Sequence, residues 1–199
     1  MKKFFYFCLS IFVLPLFWSC STSKKISNEE NSNVRYTLVY IIHGDANYTY
    51  HLNGKKRKAD IDVLNRAIET GRNAKHGEVF IFHQKPERKL LFLIPKKDRT
   101  FYHYKNGELV GGKLYSPAGG GLAAEVRLFN DNKSVQTERN VFLYFGHEIP
   151  VGSPRLVYHQ SKPLHPFNTE IFAHNFQNFD ANFDLTVLST CNNGNPLMA

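Results

Sequence analysis

The stretch FDLTVLSTCNNGNP ends a run of β-forming residues with Cys191 and follows it at once with the turn-forming Asn192-Asn193-Gly194. A thiol with a pKa of about 8.5 is only slightly ionised at neutral pH, but an imidazole beside it favours the thiolate or accepts its proton during attack. The chain supplies such an imidazole in a matching setting. NVFLYFGHE, residues 140 to 148, is a hydrophobic run that closes on Gly146 and His147. In this pairing Cys191 is the nucleophile and His147 its base or charge partner. The N–H of Cys191 and the turn through Asn192 and Gly194 offer backbone amides to a developing oxyanion. A lone cysteine after a hydrophobic strand is more often buried and inert. What favours chemistry is the joint occurrence of the two residues at matching strand ends with one helix between them.

The surrounding pattern shows how they are positioned. YTLVYIIH, residues 36 to 43, is a continuous β-branched and aromatic run, the mark of a strand buried on both faces. The loop GDANYTYHLNGKKRKA follows, and then DIDVLNRAIETG. There Asp60 caps a helix, Ile61, Leu64 and Ile68 share one face, and Gly71 ends it. EVFIFH (78 to 83) is a second buried strand, so the order predicts a parallel crossover. KLLFLI, RTFYHY and the Asn-Gly turn of KNGE read as a small antiparallel insertion. PAGGGLAAEVRLF leads through glycines into a short helix and lacks the lysine and Ser/Thr of a phosphate loop. Asn168 caps a further helix, and Phe172, Phe176 and Phe179 form a core stripe. The expected fold is α/β with a mostly parallel central sheet. Ligands of such sheets bind in the crevice at the carboxyl ends of the strands. If the strands ending at His147 and Cys191 are neighbours, their axes lie about 5 Å apart and the two side chains can meet.

At these residues the chain resembles the caspase-like cysteine peptidases, including the clostripain, gingipain and CHAT-domain branches. The resemblance runs over roughly residues 36 to 199 in element order, and its specific motifs are the blocks GHE and VLSTCNNG. It implies a caspase-like three-layer sandwich. It also implies a catalytic pair of His147 and Cys191, and a cleft contribution from His43, Gly44 and Asp45 at the end of the first strand. The family histidine is usually followed by a glycine whose amide serves the oxyanion hole; here Glu148 follows and Gly146 precedes, so these two are the oxyanion and cleft candidates. The acidic residue that clostripain-like members often carry two positions before the cysteine is replaced by Ser189. The chain stops at Ala199, eight residues past Cys191, whereas the family fold continues with another helix and strands. The expectation is a peptidase domain over 35–199, truncated after its cysteine strand or degenerate.

The N-terminus is a separate matter. MKKFFYFCLSIFVLPLFWSC has basic residues, then an apolar run broken by Pro15, then Ser19 and Cys20. This is the layout of a secretory signal over 1–19, and it resembles the bacterial lipoprotein signal, which implies lipidation at Cys20. Residues 20–34 then read as a polar tether. With Cys8 lost and Cys20 acylated, Cys191 is the one thiol left and no internal disulfide forms.

The net charge of +8 falls by two without Lys2 and Lys3, and the remaining basic residues are scattered in short groups without a nucleic-acid-binding motif. No nucleic-acid partner is expected. Nine histidines invite a metal, but His159 and His165 have no carboxylate or cysteine at ligand spacing, so neither metal nor cofactor is expected. No Gly-x-Ser-x-Gly elbow accompanies His43-Gly44-Asp45, which argues against a serine hydrolase. Two functions remain. One is a membrane-anchored cysteine endopeptidase of the bacterial cell envelope that acts on peptide or protein substrates. The other is a catalytically inactive lipoprotein that uses the same scaffold for binding.

Overall fold

Tyr36–His43 (β1) is the middle of the structure because it pairs in parallel on both sides, with Gly77–Gln84 (β4) and with Arg139–Phe145 (β9). Its backbone groups are satisfied by the two neighbours, so its apolar side chains can be buried on both faces. Every residue of β4 is buried as well. The computed structural model describes residues 34–46, 48–86, 89–90, 94–95, 98–116, 121–134, 137–151, 158–159, 161 and 167–190, which belong to one unit, Asn33–Ala199. Cys20, Cys191, Asn192 and Gly194 lie outside the described residues.

Between β1 and β4 the chain forms Thr49–Leu52 (β2), Lys55–Lys58 (β3) and the helix Ala59–Asn73 (α1). After β4 come Lys89–Leu90 (β5), Ile94–Pro95 (β6), Arg99–Lys105 (β7), Glu108–Tyr115 (β8) and the helix Ala123–Asn132 (α2). Beyond β9 lie the helix Thr169–Gln177 (α3) and Leu185–Ser189 (β10). The main sheet has the order β10-β9-β1-β4-β7-β8; its first four strands are parallel and β7 and β8 run antiparallel. The architecture is therefore α/β with a mixed six-stranded sheet, and two small antiparallel pairs, β2-β3 and β5-β6, stand beside it.

The period of two along each strand separates two cores. Val39 and Ile41, Phe80 and Phe82, and Phe142 and Tyr144 face α2 and α3. Ile42, Val79 and Ile81 face Leu64 and Ala67 of α1. Phe142 is fully buried among Phe172, Phe176, Phe179 and Phe183, at ring distances of 5.0 to 6.1 Å in edge-to-face contacts. The aromatic stripe of the third helix is thus core. On the α1 side, Leu185 and Val187 of β10 remain exposed.

Several local expectations change. The segment expected as a loop before α1 contains the β2-β3 hairpin, which turns at Asn53 and Gly54 with positive φ at both residues. Asp60 does not cap α1: the N-cap is Lys58, without a side-chain bond, and Asp60 sits in the first turn, buried, its Oδ2 accepting from His83 Nε2 at 2.8 Å. Gly71 lies inside α1 rather than at its end, with Tyr104 packed where a side chain would be. Of KLLFLI, the described residues form β5 and the start of β6, which pair with each other outside the main sheet, while β7 and β8 extend the main sheet as its antiparallel part. Asn168 does cap α3, its side chain accepting from Ile171 N at 2.9 Å.

Phe142→Ala is expected to destabilise the fold by about 3–5 kcal/mol in chemical denaturation. Leu185→Ala, on the open face, is expected to change it by less than about 0.5 kcal/mol. Equal effects would contradict the packing described.

Candidate functional site

The carboxyl ends of β1, β4, β9 and β10 reach the same edge of the sheet because these four strands are mutually parallel. The register pairs Phe145 of β9 with Ser189 of β10, and Gly146 N continues the ladder by donating to Ser189 O at 3.3 Å. His147 follows Phe145 by two residues. Cys191 follows Ser189 by the same two.

His147 is half-buried and held on several sides. Its Nδ1 accepts the Glu148 N–H at 2.9 Å and lies 3.0 Å from Tyr48 Oη. Its carbonyl accepts from Tyr144 Oη at 3.2 Å, and Tyr144 Oη in turn lies 2.8 Å from Tyr158 Oη. Both hydroxyls are satisfied when Tyr158 donates to Tyr144 and Tyr144 to the carbonyl. Burial pushes the pKa of both phenols up, so they stay protonated. The amide donation to Nδ1 leaves the proton of a neutral His147 ring on Nε2. Two amides considered for an oxyanion hole are committed within the chain, that of Gly146 to Ser189 and that of Glu148 to the imidazole.

Beside this loop lies a second group of polar side chains. His43 continues the buried face of Val39 and Ile41, and its ring stacks on Tyr158 at 3.9 Å and 12°. Its Nε2 is 3.3 Å from Nδ1 of His159, and that same Nδ1 is 3.6 Å from Asp45 Oδ2. Ser161 fixes the carboxylate, donating from Oγ at 2.7 Å and from its backbone N at 3.1 Å to Oδ2. The exposures of His43, Asp45 and His159 are 1%, 3% and 5%. These are the residues that could hold a cation, two imidazole nitrogens and a carboxylate oxygen within 4.8 Å of one another.

Two glycines permit the arrangement. A Cβ on Gly146 would lie 2.5 Å from the Cβ of His43, and one on Gly44 would meet Asp60 Oδ2 at 2.5 Å and the Gln84 carbonyl at 2.9 Å. The His147 loop and the end of β1 therefore touch through backbone. On the far side of the same edge, Glu125 of α2 accepts from Arg99, Gln84 and Tyr115, all buried.

Of the residues expected at the first strand end, His43 lies against Gly146, Asp45 faces His159 and Ser161, and Gly44 packs against Asp60 and Gln84. Glu148 contacts His147 through its N–H. Sequence reasoning missed His159, Ser161, Tyr48, Tyr144 and Tyr158. It also found no carboxylate for His159, because Asp45 stands 114 positions earlier in the chain and only the fold brings it near. The one available signal was the pairing of a strand-terminal His-x-Asp with a later Tyr-His.

Comparison with family models, with curated proteins and with solved structures finds no match to this chain. Its chemistry has to be argued from these side chains.

Burial, with the nearby His159 in second place, holds the His43 pKa well below its ordinary 6.5. Burial alone would raise the Asp45 carboxyl, but the nearby His159 and the hydrogen bonds from Ser161 outweigh it and hold it below its ordinary 3.8. The unfolded chain therefore takes up a proton on His43 at a pH where the folded chain does not. Stability is expected to decline as pH falls below about 6.5, and the Asp45 contribution is lost only at more acid pH, below about 3.8. Denaturation of the full chain in chelating buffer at about pH 7.5 and 5.5 measures this. His43→Asn should flatten the profile across that interval, and an unchanged slope would show that the proton uptake lies elsewhere.

Proposed function

We propose that this chain is a cysteine endopeptidase in which Cys191 and His147 act as a dyad, exported and tethered to a bacterial membrane through a lipid on Cys20. The observation that carries the reading is the parallel register of β9 and β10, which pairs Phe145 with Ser189 and so sets His147 and Cys191 at equal offsets beyond neighbouring strands. The reading draws further support from the resemblance of the GHE and VLSTCNNG blocks to the caspase-like peptidases and of the first twenty residues to a lipoprotein signal. Among the described residues, no helix is long and apolar enough to cross a membrane.

In this reaction the thiolate of Cys191 attacks a peptide carbonyl, and the oxyanion that forms is met by the Cys191 N–H. The C–N bond breaks as protonated His147 gives its Nε2 proton to the leaving amine, which leaves a thioester. Water, deprotonated by the now neutral imidazole, then hydrolyses the thioester to the carboxylic acid and restores the thiol. The general acid step needs an imidazolium, and its Nδ1 proton has an acceptor in Tyr48 Oη at 3.0 Å. The Glu148 N–H on the same nitrogen opposes that proton, so the working form requires the 147–148 peptide to turn away. The second reading, a binding scaffold without catalysis, draws its support from this contact, because it occupies Nδ1 within the chain.

Labelling of the full chain by a peptide electrophile, located by mass spectrometry, separates the two. A dyad predicts modification of Cys191 that persists well below about pH 8.5 and slows at least about 100-fold in His147→Ala. Tyr48→Phe should slow it less, by removing the Nδ1 acceptor. A Cys191 labelling rate indifferent to His147 would remove the peptidase assignment and leave the scaffold.

A further inference from the structure

We propose that His43, Asp45 and His159 form a binding site for a d-block divalent cation, best matched to Zn²⁺, which ties His159 to the end of β1. The donor set is two imidazole nitrogens and one carboxylate oxygen, the mixture zinc takes when the protein supplies three ligands and a water completes the tetrahedron. Zinc to nitrogen or oxygen distances near 2.0–2.1 Å imply ligand atoms about 3.3 Å apart along a tetrahedron edge. Here His43 Nε2 and His159 Nδ1 are 3.3 Å apart, His159 Nδ1 and Asp45 Oδ2 are 3.6 Å apart, and all three donor atoms lie within 4.8 Å.

Hydrogen bonding alone serves this geometry poorly. One ring atom, His159 Nδ1, faces both an imidazole nitrogen and a carboxylate oxygen, and a single proton there bonds one of them at a time. At 3.6 Å the contact with Asp45 Oδ2 is already long for a hydrogen bond. A cation at the centre satisfies all three donors at once.

The support around the donors is also that of a built site. Ser161 holds the carboxylate through Oγ and N, the arrangement by which outer residues orient a ligating carboxylate. The stack on Tyr158 fixes the plane of the His43 ring, and Tyr158 is fixed in turn by Tyr144. The three ligands come from two distant segments, so a bound cation works as a cross-link between them. Its position against Gly146, whose missing Cβ lets His43 approach, places it directly beneath the His147 loop. The inference does not depend on the Cys191 dyad.

The test is metal binding by the full chain, purified in detergent, stripped with a chelator and titrated with Zn²⁺ against a chromophoric competitor, then with Co²⁺ as a spectroscopic probe. One equivalent should bind and raise the melting temperature, and Co²⁺ should give the intense visible bands of a four-coordinate site. His159→Ala and Asp45→Asn should each weaken binding by more than about 100-fold, and Ser161→Ala by about 10- to 100-fold. Cys191→Ala should bind as the parent does. Circular dichroism of the metal-free forms establishes that each variant folds; where one does not, the other ligand variant and Ser161→Ala carry the comparison. Zn²⁺ affinity unchanged in the folded ligand variants, or following Cys191 instead of them, overturns the proposal, as does the absence of a stoichiometric site in the parent.

Discussion

Parallel pairing on both sides of β1 is the constraint on which the rest of this structure depends. A strand hydrogen-bonded to β4 on one flank and β9 on the other has no solvated edge, and its side chains must satisfy two cores at once. Parallel neighbours cannot be joined by a tight turn, so α1 and the long β9 to β10 connection carry the chain back across the sheet. The direct result is chemical: every parallel strand delivers its carboxyl end to the same edge. His43, Gln84 and the Gly146-His147 pair arrive there without any residue having been selected for that meeting individually.

Such convergence concentrates polar groups where the sheet is already dry. His43, Asp45, His83, Asp60, Arg99 and Glu125 are all buried near this edge, and each is stable there only because it faces a partner. Asp60 meets His83 at 2.8 Å, and Glu125 gathers Arg99, Gln84 and Tyr115 onto one carboxylate oxygen. Removing either member of such a pair leaves the other buried and unsatisfied, which costs more than the pair itself contributes.

What the sequence made legible follows the same logic. β1 and β4 were readable because deep burial writes an unbroken apolar run, β9 and β10 because their β-forming residues run together even where, as at Leu185 and Val187, the side chains stay exposed, and the α3 cap because Asn168 bonds only three residues ahead. Asp60 misled, since an acidic residue ahead of an apolar stripe reads as a cap, yet here a tertiary partner, His83, claims its carboxylate. The β2-β3 hairpin was hidden because both strands are exposed and β3, KKRK, is wholly basic, so the short Tyr50-Leu52 alternation of β2 has no apolar partner strand. His159 was the hardest case. Its meaning depends on Asp45 and His43, and no periodicity within a single element encodes a contact across 116 positions.

Two groups of polar side chains then share one strand edge, and a chain of hydroxyls joins them. Tyr158 stacks on His43 and bonds to Tyr144, which bonds to the carbonyl of His147. These contacts connect Tyr158 to the carbonyl of the same 147–148 peptide whose N–H donates to His147 Nδ1, so the geometry of that loop depends on side chains of β9 and of the chain beyond it as well as on its own residues.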